Sequence, residues 1–271
     1  MNIKESVLRG VIPEKLRILD AHAHLGEGEQ GGLYIRTLPV AESLRLSKKV
    51  GVDAIVASHL KSLYGNVLLG NERMMDFSRE FPGYVYVAMF YHPHYHEACI
   101  AQLEKYKDDP GFVGVKIHPR ETHTTIAGRD YDKLYRYCLD NDILVSCHTW
   151  QTEPANNPAD YRAALGRFPE LKLQLCHMGG TYQGCMDSVD LANEFPNVYL
   201  DLNGSLYSQI WLEELVKLAP MERFIFSTDQ TFNDPRILLG RVLLSDLTDA
   251  QKQMLLCDNF ERVIGRKLVV K

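Results

Sequence analysis

Residues 17–24, RILDAHAH, place a short apolar run directly before two histidines that are separated by one residue. In an open, doubly wound α/β sheet the first strand is typically followed by a glycine-rich loop, G-x-G-x-x-G, and that motif does not follow here. An extended chain directs residues i and i+2 to the same side, so His22 and His24 can bind one metal ion together. A histidine pair is common by chance, and its meaning depends on what the rest of the chain places beside it.

The same alternation of apolar runs and longer amphipathic stretches continues along the chain. Runs rich in Val, Ile, Leu, Tyr and Phe predict buried parallel strands at residues 17–21, 54–57, 84–90, 112–117, 143–147, 172–176, 198–202 and 223–227. Helices are predicted at residues 41–50, 71–80, 96–107, 131–140, 158–167, 186–194, 209–217, 235–243, 249–256 and 259–264. Eight strand–helix units are what a closed (β/α)8 TIM barrel requires, so we expect one barrel domain over residues 1–271.

Composition argues against several classes of function. Hydrophobic residues make up 45% of the 271 residues and charged residues 24%, which is typical of a soluble globular protein. The net charge of −5 and the scattered basic residues argue against nucleic-acid binding, and no apolar run is long enough to predict a membrane span. Six cysteines without a CxxC pair, and an amino terminus without the apolar core of a secretory signal, predict a cytoplasmic protein.

Polar side chains end several of the later predicted strands. Lys116 ends the fourth strand, His148 the fifth, His177 the sixth and Asp229 the eighth. Lys116, His148 and His177 are separated by 32 and 29 residues, about the length of one strand plus its crossover helix. Because catalytic groups of barrels lie at the carboxyl ends of the strands, we expect these side chains to meet the histidine pair at one end of the barrel.

Imidazole and carboxylate ligands together suit a transition metal such as zinc, manganese or iron. A metal with an open coordination position lowers the pKa of its water from about 15.7 to about 7 and so creates a hydroxide nucleophile. Asp229 and His177 are then the candidates for moving protons. Two other interpretations stay open: Asp229 can cap the next helix, and each histidine alone can be a satisfied core residue.

Several motifs resemble the amidohydrolase superfamily, in particular its amidohydrolase-2 branch of aminocarboxymuconate-semialdehyde decarboxylase-like proteins. They are LDAHAH (19–24), GVKIHP (114–119), VSCH (145–148), HMGG (177–180), STD (227–229) and the closing DNFERVIG (258–265). The resemblance covers residues 19–265. It implies four metal ligands, with His177 as the acid–base histidine beside them. The implied ligands are His22, His24, His148 and Asp229.

The number of metal ions stays open at this point. In other branches of the superfamily a lysine after the fourth strand is carbamylated and bridges two metals, which makes Lys116 a candidate second-metal or substrate ligand. Lys116 can equally be a structural ion-pair partner. We expect one divalent ion, zinc foremost, with manganese or iron as alternatives. The resemblance alone also suggests a homodimer.

Four further residues are candidates for contacting a small-molecule substrate. Arg120 suits bidentate capture of a carboxylate, and His118 lies beside it. Trp150 and Tyr182 follow the site histidines closely and can wall a pocket, although aromatic core packing explains them as well. The leading prediction is a metal-dependent hydrolase of a small carboxylated molecule. The alternatives are a non-oxidative decarboxylase or hydratase at the same metal site, and a barrel that binds without catalysis.

Overall fold

The structure is a computed structural model that describes residues 2–27, 38–204 and 211–270. Eight parallel strands form one sheet in chain order, with helices between them. The strands are β1 (Leu19–Leu25), β2 (Ala54–His59), β3 (Val85–Phe90), β4 (Phe112–Ile117), β5 (Leu144–His148), β6 (Leu173–Cys176), β7 (Val198–Asp201) and β8 (Phe224–Ile225). The predicted (β/α)8 barrel is confirmed, and it forms a single domain.

The barrel closes through backbone bonds that continue beyond β8. The amide of Ala21 donates to the carbonyl of Phe226 at 3.2 Å, and the amide of Asp229 donates to the carbonyl of His22 at 2.8 Å. Ala23 and Gln230 form an isolated parallel bridge. The seam between the last and first strands therefore runs past the two-residue β8 and joins the Asp229 backbone directly to β1.

Twelve α-helices lie within the described residues. They are α1 (Ile3–Leu8), α2 (Val40–Lys49), α3 (Leu60–Tyr64), α4 (Val67–Glu80), α5 (His96–Tyr106), α6 (Asp132–Asp140), α7 (Tyr161–Arg167), α8 (Tyr182–Glu194), α9 (Leu212–Leu215), α10 (Pro235–Leu243), α11 (Asp249–Gln253) and α12 (Asn259–Val263). The sequence pattern did not predict α1 or α3, which are one or two turns long. Of the helix predicted at 209–217, residues 209 and 210 lie outside the described residues, and α9 is shorter than predicted.

Within residues 38–204 and 211–270, short helical turns occur at four loops: Pro93–Tyr95, Pro158–Asp160, His177–Gly179 and Met221–Arg223. The helix predicted at 249–256 begins as α11 and continues as the wider π-helical turn Met254–Asp258, which leads into α12. No helix among the described residues combines the length and the apolar character that a membrane crossing requires.

Alternate strand residues fill the amino-terminal half of the barrel with apolar side chains. Leu19 and Ala21 of β1 belong to this cluster, together with Tyr86 of β3 and Phe260 of α12. Parallel strands that are buried on both faces read as nearly continuous apolar runs, as these do. Because this end is filled with apolar side chains, the polar residues gather at the opposite, carboxyl end of the strands, where barrel enzymes place their sites.

Candidate active site

The histidine pair lies inside β1, which ends at Leu25, four residues beyond the sequence-based end at residue 21. His22 and His24 are each 4% exposed, and their Nε2 atoms lie 3.3 Å apart. Oδ1 of Asp229 lies 3.6 Å from Nε2 of His22 and 3.3 Å from Nε2 of His24. Two imidazole nitrogens and one carboxylate oxygen therefore converge on one point at the carboxyl end of β1.

A buried carboxylate on β7 orients His22 from the other side of its ring. Nδ1 of His22 lies 3.1 Å from Oδ2 of Asp201, which also accepts a hydrogen bond from Nε2 of Gln174 at 2.9 Å. Burial raises the pKa of Asp201 to about 6, against the opposing effect of its hydrogen bonds. Histidines that bind metals usually donate their second ring N–H to a carboxylate or carbonyl, and His22 has that arrangement.

A second buried carboxylate fixes the segment that carries Asp229. The backbone amide of Thr228 donates to Oδ1 of Asp20 at 2.9 Å, and the Thr228 hydroxyl donates to Oδ2. Asp20 is fully buried, and burial raises its pKa to about 7. Asp20 and Asp201 were not among the sequence-based candidates. In the sequence, each of these two residues is an acid within an otherwise apolar strand. A buried acid is stable there only with hydrogen-bond partners, and this feature could have identified both residues.

Lys116 lies against the histidine pair, although only 2% of its surface is exposed. Its Nζ lies 2.7 Å from Nε2 of His22 and 3.1 Å from Sγ of Cys176. The amine can donate to both atoms. The lysine thus reaches the same cluster as the histidines, as its position after the fourth strand suggested.

His177 lies closer to the cluster on β1 than its position after β6 alone indicates. Ligand atoms of His22, His177 and Asp229 all lie within 4.8 Å of one another. His177 Nε2 is 3.1 Å from Nδ1 of His148, whose ring stacks on His118 with centroids 3.9 Å apart. The structure therefore brings His177 into the convergent group, and His148 lies on its other side, toward the loops.

The loop geometry explains why glycines follow His177. His177 and Met178 adopt left-handed conformations with φ of 64° and 45°, and Gly179 and Gly180 continue with φ of 76° and 66°. A Cβ on Gly180 would lie 2.4 Å from the ring of Trp150. The HMGG motif therefore forms a turn that returns the chain across the indole and holds His177 over the barrel end.

The charge states of the cluster suit a divalent cation. Burial lowers the pKa of His177 to about 3 and also lowers the pKa values of His22 and His24. Burial by itself raises the pKa of Asp229, but its hydrogen bond with His24 and the nearby His177 outweigh burial and lower it. At neutral pH the group therefore presents neutral imidazoles and an ionised carboxylate, which is the form that binds metals.

A cavity of about 390 Å³ opens above this cluster. Its polar floor contains Lys116, His148, His177 and Asp229, and its walls include Tyr64, Trp150 and Phe232. Of the four predicted substrate residues, the cavity is lined by His118, Arg120 and Trp150. Tyr182 does not line it. Tyr182 begins α8 and is 66% exposed, because the glycine turn before it directs α8 away from the cavity.

Glu153 also lines the cavity, and the sequence pattern did not indicate it. Its carboxylate accepts hydrogen bonds from Arg120 and Asn156 and lies 3.6 Å from Nε2 of His148. Glu153 lies five residues after His148 in a loop whose compact shape depends on Asn156. The Asn156 carbonyl accepts from the amide of Trp150 at 2.8 Å. Only the folded loop places this acid over the site.

The fold resembles solved structures that differ in their reactions. It is similar to a dihydroxybenzoic acid decarboxylase from Polaromonas sp. with bound manganese and 2-nitroresorcinol (TM-score 0.69, 15% identity, 92% of this chain and 97% of that chain). It is similar to 4-oxalomesaconate hydratase from Rhodopseudomonas palustris, with a TM-score of 0.65 and 19% identity over 92% of this chain and 96% of that chain. It is also similar to a probable 2-pyrone-4,6-dicarboxylic acid hydrolase from Acinetobacter baumannii, with a TM-score of 0.70 and 12% identity over 92% of this chain and 100% of that chain.

At these identities the solved structures support the fold alone, and a search of curated proteins gave no match. The family follows from a sequence model described as Amidohydrolase, which matches residues 19–266. That range includes every strand of the barrel and every residue of the cluster at its carboxyl end. The chain is therefore an enzyme of the amidohydrolase family, in its amidohydrolase-2 branch.

Proposed function

We propose that this protein is a metal-dependent enzyme that acts on a small carboxylated molecule. The observation that carries the proposal is the convergence of His22, His24 and Asp229, with His177 beside them, beneath a cavity of about 390 Å³. A cavity of this size holds one small organic molecule. Its aromatic walls suit an apolar body, and its floor suits oxygen-rich groups.

One divalent ion would be held by His22, His24 and Asp229, with His148 as a further ligand and His177 beside the ion. Such an ion supplies Lewis acidity toward substrate oxygens and lowers the pKa of bound water. The imidazole and carboxylate donor set suits zinc or manganese, and the Polaromonas decarboxylase was solved with manganese. Asp201 supports this assignment because it holds the His22 ring with Nε2 directed at Asp229.

The stoichiometry of bound metal tests this arrangement. We expect about one equivalent of metal per chain, because His22, His24 and Asp229 converge on one point. Elemental analysis of the purified protein, before and after incubation with bicarbonate and excess metal, measures this. Two equivalents after bicarbonate treatment would contradict the single-ion site and favour carbamylated Lys116 as a bridging ligand.

The reaction that we place first is non-oxidative decarboxylation. In that reaction the bond between the carboxylate and its neighbouring carbon breaks, the electron pair stays on that carbon, and a proton replaces the departing carbon dioxide. The contact between Nε2 of His177 and Nδ1 of His148, 3.1 Å long, can hold the proton that is delivered. Trp150 and Phe232 give the cavity an apolar wall, and apolar surroundings favour the dispersal of the carboxylate's negative charge as the carbon–carbon bond breaks.

Hydrolysis, which the sequence pattern favoured, is the second candidate. The ionised Asp229 carboxylate lies beside the histidines and can accept a proton from a water molecule at the cavity floor. The two reactions differ in their products. Carbon dioxide release with one solvent deuterium on the product carbon supports decarboxylation. Cleavage of the substrate with incorporation of ¹⁸O from labelled water, without carbon dioxide, would replace it with hydrolysis, whereas ¹⁸O addition without cleavage would indicate hydration.

His177→Gln tests the role of the acid–base histidine. We expect turnover to fall about 100-fold, the lower end of what a positioned proton donor contributes, and the metal content to stay unchanged. Activity assays and elemental analysis of the same preparation measure both quantities. His94→Gln is the matched control, because His94 is exposed on the turn Pro93–Tyr95, outside the cavity. Loss of metal from His177→Gln would instead make His177 a ligand.

A further inference from the structure

The guanidinium of Arg120 already carries two carboxylates in this structure. Its Nε and Nη2 donate to Oε1 of Glu121 at 3.0 and 2.9 Å, and its Nη1 donates to Oε1 of Glu153. An arginine that captures a substrate carboxylate presents free parallel N–H donors to it. Three of the five N–H donors of Arg120 already bind protein carboxylates, so a substrate carboxylate that approached Arg120 would compete with Glu121 and Glu153.

Of these two acids, only Glu153 lines the cavity. Its side chain is 21% exposed, and its Oε2 accepts from Asn156 and faces Nε2 of His148. The carboxylate thus lies between the guanidinium, which is 54% exposed, and the ring of a site histidine. A ligand that extends from the polar floor toward Arg120 meets the Glu153 carboxylate on the way.

The Glu153 carboxylate is held as an anion by its ion pair with the Arg120 guanidinium and by the hydrogen bond that it accepts from the Asn156 amide. Arg120, Glu121 and Glu153 together carry one positive and two negative charges, so this group of side chains has a net negative charge, although of its two acids only Glu153 lines the cavity. At the opposite end, Lys116 and the proposed metal site favour an anion.

We propose that Glu153 is a specificity-determining residue, which excludes a second carboxylate from the Arg120 end of the cavity and selects a neutral hydrogen-bond donor there. The inference rests on the proposed function, in which one substrate carboxylate lies at the polar floor. The substrate class that follows is a monocarboxylate with a hydroxyl or amide donor at its other end. A hydroxyl can donate to Glu153, whereas a carboxylate there faces a like charge.

Matched pairs of acids test this role in the metal-loaded, full-length protein. Isothermal titration calorimetry gives the dissociation constants of 3-hydroxybenzoate and isophthalate, which differ in one hydroxyl or carboxylate, and of the aliphatic pair 4-hydroxybutyrate and succinate. One of the two hydroxy acids will bind the wild-type protein more tightly than the other. We expect its dissociation constant to be at least about 10-fold lower than that of the diacid with which it is paired. In Glu153→Gln, which retains an acceptor oxygen for Arg120, we expect the ratio to narrow to about threefold or less.

Glu194→Gln is the matched control. Glu194 pairs with Arg162 at 2.7 Å and does not line the cavity, so its variant should retain the wild-type ratio. If a diacid binds the wild-type protein as tightly as the hydroxy acid with which it is paired, Glu153 does not determine specificity. If the Glu153→Gln protein binds both acids of a pair more weakly by the same factor, the proposal is also overturned. Glu153 would then only stabilise the loop that contains it. Failure of all four acids to bind overturns the carboxylate class itself and, with it, this inference.

Discussion

The Asp229→Asn protein is expected to lose most of its metal and at least about 1,000-fold of its activity. The neutral amide removes the one anion among the convergent donors, which lies 3.3 Å from His24 and 3.6 Å from His22. Lewis-acid stabilisation by a metal contributes several kcal/mol to a transition state, and about 4 kcal/mol corresponds to this loss of rate. We also expect metal affinity to fall by more than about 100-fold, beyond the usual effect of changing an outer-shell partner.

The measurements are elemental analysis after dialysis and the shift of the melting temperature when zinc or manganese is added. Asp234→Asn is the matched control, because Asp234 caps α10 on the surface and asparagine caps helices as well as aspartate does. We expect this control to keep its metal and its activity. An Asp229→Asn protein that retains a full equivalent of metal would contradict Asp229 as a ligand.

Gly184→Ala is expected to lower the free energy of unfolding by about 3 kcal/mol, the upper end of the range for overpacking. A Cβ at this position would lie 2.4 Å from the carbonyl oxygen of Gly179 and 2.7 Å from its carbonyl carbon. These are backbone atoms of the turn that follows His177, so no side-chain rotation can relieve the contact. Urea denaturation followed by far-UV circular dichroism measures the change in unfolding free energy.

Gly240→Ala is the control for this substitution. Gly240 lies inside α10, and a Cβ there would meet nothing within 4 Å. Alanine should therefore stabilise the protein by about 0.5 kcal/mol, because glycine in a helix interior costs conformational entropy. If Gly184→Ala unfolds at the wild-type urea concentration, the close approach of α8 to the HMGG turn does not constrain the fold.

The fold was predictable because its strand pattern repeats eight times. The closing seam was not, because strand ends depend on register. The pattern predicted a five-residue strand at 223–227, whereas β8 contains two residues and the chain continues along β1 through separate backbone bonds. Similarly, β1 extends to Leu25, so that the histidine pair lies within the strand. Apolar periodicity records burial, and it does not record which neighbour completes each hydrogen bond.

Some site residues were likewise predictable from regular spacing, and others depend on backbone conformation and loop contacts. Regular spacing placed His148 and His177 at strand ends, and both line the cavity. Which of them faces His22 depends on the left-handed backbone at His177, and spacing does not encode that conformation. Glu153 is a further case, since its contacts with Arg120 and His148 arise between loops that follow different strands.

The seam of the barrel and the proposed ligand set are one structural unit. His22 belongs to the first strand, and Asp229 follows the last, so that more than 200 residues of chain separate two neighbouring donors. An incomplete or open chain does not contain the assembled set, so a metal held by the proposed ligands would bind the closed barrel in preference to any unfolded form. By mass action, the free energy of ligation then favours closure at the place where regular strand pairing is shortest. The supply of metal would in this way determine the lifetime of the folded protein as well as its catalytic activity.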